Sequence, residues 1–127
     1  MNLVDSSAWL EYFSNGPLAG RFAAAIEDTK ELLVPTIVVV EVTRRVFRRR
    51  GEDAALQAAA LLHQGRVVAF DAALTLSAAE LGVARKLPLA DSIILATAMQ
   101  FGATVWTMDP DFKGLPGVKY FAKTRGR

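Results

Sequence analysis

Short apolar runs in this chain alternate with longer stretches in which apolar residues recur at helical spacing. The first run, "MNLVD", reads as a short buried strand, Asn2 apart, that ends on an acid. In "SSAWLEYFSN", Trp9, Leu10 and Phe13 fall at helical spacing, and Asn15-Gly16-Pro17 closes that helix. Residues 18–29 predict a second helix, with Leu18, Phe22, Ala25 and Ile26 on one face. "LLVP" is strand-like and stops at Pro35. "TIVVVEVTRRVFRRR" carries two signals. Its β-branched run favours a strand, whereas Val42, Val46 and Phe47 set against arginines favour a helix. We read it as a helix from about Thr36, ending at Gly51. Residues 52–64 are alanine-rich and helical, and "RVVAF" is a strand. "DAALTLSAAELGVARKL" is a helix opened by Asp71 as N-cap, and "LADSIILATAMQFG" a helix closed by Gly102. "ATVWTMD" and "GVKYF" supply the last two strands.

Strands alternating with helices predict an α/β fold with a mainly parallel sheet, and 127 residues suit a single domain spanning 1–127. Sites in such sheets form outside the carboxyl ends of the strands. Four acids are placed for that edge. Asp5 ends the first strand, Asp109 follows the strand "ATVW", Glu41 lies on the helix after the second strand, and Asp91 is in the first turn of the helix before "ATVW".

Each acid also has a structural explanation. Asp5 or Ser6 would cap a helix, Asp91 would face a helix dipole, Glu41 would pair with Arg45 one turn on, and Asp109-Pro110 would make a turn. Jointly those explanations are strained, because Asp5, Glu41 and Asp91 sit among apolar residues where an unpaired charge is costly. Two carboxylates about 4 Å apart repel by roughly 4 kcal/mol at an effective dielectric near 20. A converging cluster therefore needs a proton or a cation. Oxygen ligands without His or Cys favour Mg²⁺ or Mn²⁺ over zinc. Two such ions about 3.5–4 Å apart would fit phosphodiester cleavage. Ser6 and Thr107 are hydroxyls placed to bind water or a phosphate oxygen, or else to cap and support turns.

Composition narrows the rest. Hydrophobic residues make up 52% of the chain, enough for a core, and the apolar runs are too short and too charged to span a bilayer. The first residues carry no basic stretch, so no secretion signal is expected and the cytoplasm is the expected compartment. The absence of cysteine excludes disulfides, thiolate metal sites and cysteine nucleophiles. Net charge is only +2, but Arg44, Arg45, Arg48, Arg49 and Arg50 cluster, and "KTRGR" ends the chain. A basic cluster contacts phosphates or forms a solvated helix face. His63 is the only histidine and lies far in sequence from every acid motif, which argues against a two-histidine ribonuclease. Trp106 reads as core, and Trp9, Phe13 and Phe22 read as core or as a partner surface. The rival readings are a non-catalytic RNA- or partner-binding module and a phospho-receiver with Asp71 as acceptor and Lys119 as partner.

In order along the chain, "LVDSSAWL", "VPTIVVVEV", "LPLADSIILATA" and "TMDPDF" resemble the PIN-domain ribonucleases, especially the VapC-type toxins of toxin–antitoxin pairs. The resemblance runs from residue 3 to residue 112. It implies a three-layer α/β/α sandwich with about five parallel strands. It implies Mg²⁺- or Mn²⁺-dependent endonucleolytic cleavage of RNA, a homodimer, and a cognate antitoxin whose C-terminal segment blocks the site. Carried over by motif, Asp5, Glu41, Asp91 and Asp109 are the acidic set, and Ser6 and Thr107 the supporting hydroxyls. Asp111 is a further acid of the same loop that joins Asp109 or takes its place. Where many relatives have Asn two residues after the first Asp, this chain has Ser7, which weakens one expected local hydrogen bond.

Overall fold

A computed structural model describes residues 1–124; the arginines of the terminal "KTRGR" lie outside the described residues. Five strands form one sheet: β1 (Asn2–Val4), β2 (Leu32–Pro35), β3 (Arg66–Val68), β4 (Thr104–Thr107) and β5 (Val118–Tyr120). Their order is β3-β2-β1-β4-β5, and every neighbouring pair is parallel. Six helices connect them: α1 (Ser6–Phe13), α2 (Ala19–Glu27), α3 (Thr36–Arg50), α4 (Glu52–Leu62), α5 (Ala72–Arg85) and α6 (Leu89–Phe101). Single 3-10 turns occupy Thr29–Glu31 and Pro110–Phe112.

β1 and β2, in the middle of the sheet, carry buried apolar residues without alternation, as parallel strands covered on both faces require. In-register neighbours share a face. Trp106 and Phe121 stack on one face, where Phe22 of α2 meets Phe121 edge-on. On the other face Arg66 lies over the ring of Phe101 in α6. The three-layer arrangement follows.

Leu3, Leu33, Val34, Val38, Ile94 and Val105 are buried in the main core. Trp9 and Phe22 join them with no exposed surface, so both are core rather than partner surface. Trp106 is only half-buried, and its indole N–H donates to Asn2 Oδ1 at 2.9 Å, which accounts for the one polar residue in β1.

The β-branched stretch of α3 is a helix, as its second half indicates. Burial of Val38 and Val42 against the sheet outweighs a local preference that spans only about 1 kcal/mol. Gly51 ends the helix at φ 88°, a backbone region that favours glycine. Asp71 caps α5 by accepting from Leu74 N at 3.2 Å. The expected strand "RVVAF" stops at Val68, leaving Ala69 and Phe70 exposed. Among the described residues β3 is an edge strand; its neighbour β2 ends at Pro35, and proline has no N–H to extend the ladder.

The order of strands reverses at β1, with β2 on one side and β4 on the other. The carboxyl ends of β1 and β4 therefore flank a crevice, the position where open α/β sheets hold their sites.

Candidate active site

Asp5 leaves the end of β1 and is 2% exposed. Its backbone N–H donates to Trp106 O at 3.0 Å, tying it to β4. Its carboxylate caps α1 by accepting from Ala8 N at 3.2 Å. Two hydroxyls complete its shell: Ser7 Oγ donates to Oδ1 at 2.7 Å and Thr107 Oγ1 donates to Oδ2 at 2.8 Å. Thr107 also accepts from Asp109 N at 2.9 Å. It has no exposed surface, so it joins β1 to the loop after β4 as a strut.

Ser7 departs from the pattern expected at that position, yet it makes the local hydrogen bonds. Besides bonding Asp5, its Oγ accepts from Met108 N at 3.0 Å. The weakened local hydrogen bond expected at this position is therefore not found. The available signal was Ser7's place two residues after an N-capping acid, where a first-turn hydroxyl turns back toward the cap.

α6 carries Asp91 in its first turn, and the eight residues Asp91–Ala98 are all buried. That burial fixes the helix, and the acid with it. Asp109 accepts from Asp111 N at 2.9 Å, so it caps the 3-10 turn while facing the crevice. The turn reading and the site reading of Asp109 thus coexist. Asp91, Asp109 and Asp111 each present a carboxylate oxygen, and these oxygens lie within 4.8 Å of one another. Of the two loop acids, both stand beside Asp91.

Burial pushes the Asp91 carboxyl up to about 7, and Asp109, Asp111 and Asp5 add to the rise. Burial likewise pushes Asp5 up to about 6, against the bonds from Ser7, Thr107 and Ala8 that pull it down. Glu41 on α3 is half-buried. Its pKa is raised by burial and by Asp109, with the neighbouring Ser6 hydroxyl offsetting part of that. Glu41 Oε1 is buried and has no hydrogen-bond partner among the described residues. The alternative pairing with Arg45 is absent from the ion pairs of the described residues.

The four expected acids and Ser6 therefore surround one crevice, with Asp111 added. An all-oxygen donor set, carboxyl pKa values raised by burial and then by mutual repulsion, and an orphaned buried carboxylate oxygen fit a hard divalent cation. His63 is elsewhere: it is exposed at the end of α4, with Nδ1 on Ala59 O. Asp71 follows edge strand β3 and Lys119 sits on the opposite edge strand β5, over the Trp106 ring. That separation removes the phospho-receiver reading.

The PIN-domain family profile matches residues 3–118. The chain belongs to the PIN-domain family. Solved structures similar to it include toxin–antitoxin proteins. A toxin–antitoxin complex from Klebsiella pneumoniae superposes with a TM-score of 0.81 at 24% identity, over 97% of this chain and 100% of that one. The sarcin-ricin-loop-cleaving toxin VapC20 of Mycobacterium tuberculosis gives 0.74 at 25% identity, over 91% and 95%. VapBC2 of Rickettsia felis, bound to a promoter DNA fragment, gives 0.73 at 16% identity, over 95% and 97%. No curated protein sequence matches the chain. Among the described residues of this PIN domain, no helix is long and apolar enough to cross a membrane.

Proposed function

We propose that this PIN domain is a divalent-metal-dependent endoribonuclease and acts as the toxin of a toxin–antitoxin pair. One observation carries the reading: Asp91, Asp109 and Asp111 present oxygens within 4.8 Å of each other in the crevice at the carboxyl ends of β1 and β4. Asp91, Asp109 and Asp111 would hold Mg²⁺ or Mn²⁺, with Asp5 beside them, directly or through water. A bound divalent ion supplies neutralisation of phosphate charge and acidification of water.

The chain's own residues do the rest. Ser7, Thr107 and the Ala8 N–H hold Asp5 in one orientation. Glu41, whose pKa is raised by burial and by Asp109, orients the attacking water and accepts its proton. Ser6 stands beside Glu41 at the mouth of the crevice and contacts water or a phosphate oxygen. The water oxygen bonds to phosphorus in line with the 3′-oxygen, the P–O3′ bond breaks, and the 3′-oxygen leaves with a proton from solvent. The products carry a 5′-phosphate and a 3′-hydroxyl.

The neighbours' association with antitoxins supports a cognate antitoxin here, and a cytoplasmic homodimer is the form we propose. The test is end-mapping of the fragments made from total RNA. A 5′-phosphate is expected; a 2′,3′-cyclic phosphate would mean that the 2′-hydroxyl attacks and would overturn the mechanism.

A further inference from the structure

α5 and α6 are joined by three residues, 86–88, and fold back on each other as a helical hairpin. Leu74 and Ala78 of α5 and Ile93 and Ala96 of α6 form a buried cluster of their own between the two helices. One turn beyond Ala78, on the same face of α5, stands Gly82. It meets Ser92, the residue next to Asp91. A methyl group placed on Gly82 would lie 3.3 Å from Ser92 Cβ, inside the roughly 3.5–4.0 Å at which carbon atoms pack. Ser92 is 2% exposed, and its Oγ donates to Leu89 O at 2.7 Å, which ties its side chain to the first turn of α6. Gly82 anchors the connection as well. Its carbonyl accepts from the Lys86 N–H and from Leu87 N, the latter at 3.0 Å. Glycine is a poor helix former, and Gly82 is not among the glycines with positive φ. What it supplies in α5 is therefore space, not backbone freedom.

Resting on the metal-dependent reading above, we infer that Gly82 is a positioning residue: it sets how far Asp91 stands from Asp109 and Asp111, and so which size of ion the cluster accepts. The bare Cα lets the start of α6 settle against α5. A methyl there would push Ser92 away by a few tenths of an ångström, and Asp91 with it. α6 has little slack to absorb the push, because Asp91–Ala98 are all buried. Asp109 and Asp111 would not follow, since they are held by their own 3-10 turn, with Asp111 N donating to Asp109 Oδ1 at 2.9 Å. Mg²⁺ demands near-ideal octahedral geometry at about 2.0–2.1 Å, whereas Ca²⁺ takes about 6–8 oxygens at about 2.3–2.6 Å in a flexible arrangement. A displacement of this size therefore penalises the smaller ion selectively.

The experiment titrates the metal-free full chain, without RNA, with Mg²⁺ and separately with Ca²⁺ at pH 8 by calorimetry. Gly82→Ala is expected to weaken Mg²⁺ binding by about tenfold, the size of effect seen when a residue supporting a ligand is changed. Ca²⁺ binding should weaken by no more than about threefold, because its site tolerates the shift. Gly20→Ala in α2, where an added methyl meets nothing within 4 Å, should leave both affinities unchanged. Gly82→Ala combined with Ser92→Gly, which removes the opposing Cβ, should bind Mg²⁺ within about twofold of Ser92→Gly alone. Wild-type Mg²⁺ affinity in Gly82→Ala, an equal loss for both ions, or a loss that Ser92→Gly does not relieve overturns the inference. So does failure of Gly82→Ala to fold, which would make the contact a matter of packing alone. If the wild-type chain binds Mg²⁺ and Gly82→Ala binds it equally, only the role of Gly82 falls. If the wild-type chain binds no Mg²⁺, the acid cluster falls as a metal site and the role of Gly82 falls with it.

Discussion

Asp5 and Asp91 are both buried, yet they are held in opposite ways. Asp5 is wrapped by donors, which draw its pKa down toward the ionised form, whereas Asp91 faces other acids. Replacing Asp91 by Asn removes one of the repelling charges and one cation ligand together. Cleavage should fall by about a hundredfold or more, while the metal-free protein at pH 8 should become more stable, by on the order of 2 kcal/mol after solvent screening. RNA cleavage and urea unfolding of Asp91→Asn read the two effects. Ser7→Ala acts indirectly. It leaves Met108 N–H without its acceptor and lets burial raise Asp5 further. A loss of about tenfold is expected, the size seen when an orienting partner is removed. The rising limb of the pH–rate profile should move to higher pH. A profile that stays in place would make Ser7 merely structural.

At the scale of elements, α6 decides where Asp91 stands. Ile94 is 1% exposed and anchors the helix to the sheet. Ile94→Ala should cost about 2–5 kcal/mol and lower cleavage by loosening the acid's mount. Ile94→Val should cost about 0.5–1.5 kcal/mol and keep cleavage. Denaturant midpoints and RNA cleavage of both variants check this. Most elements were legible because their apolar spacing and punctuation agree. Examples are Asp71 before α5, Gly102 after α6, and the arginines that mark the solvent side of α3. The failures lay where a neighbour decides. "RVVAF" has strand propensity throughout, but the ladder ends where Pro35 of the next strand offers no N–H. The five acids were legible from their places beside strand ends and helix starts. Ser7 was not, since a hydroxyl's partner depends on backbone 101 residues away at Met108.

For the whole molecule, the acid cluster ties stability to pH and to cations. Asp5 and Asp91 have folded-state pKa values of about 6 and about 7, above their ordinary value of 3.8. Between those limits the folded protein binds more protons than the unfolded chain, so these groups make stability fall as pH rises from about 4 to about 7. Above that range the loss is complete. Metal-free protein should therefore melt at a lower temperature at pH 8 than at pH 5.5. Mg²⁺ should raise the melting temperature more at pH 8, where both carboxylates are ionised and available to the ion. Calorimetry at the two pH values, with and without Mg²⁺, measures this. A Mg²⁺ effect equal at both would show that the cluster is not where the ion binds. The most direct test remains cleavage itself. Purified protein is stripped with chelator, and total RNA is cleaved after stepwise return of Mg²⁺ or Mn²⁺, in parallel with Asp91→Asn. Cleavage should be absent in chelator, return with either ion, and stay about a hundredfold or more lower in the variant. Full cleavage in chelator, or wild-type rates from Asp91→Asn, would contradict the assignment of these carboxylates as a metal-holding ribonuclease site.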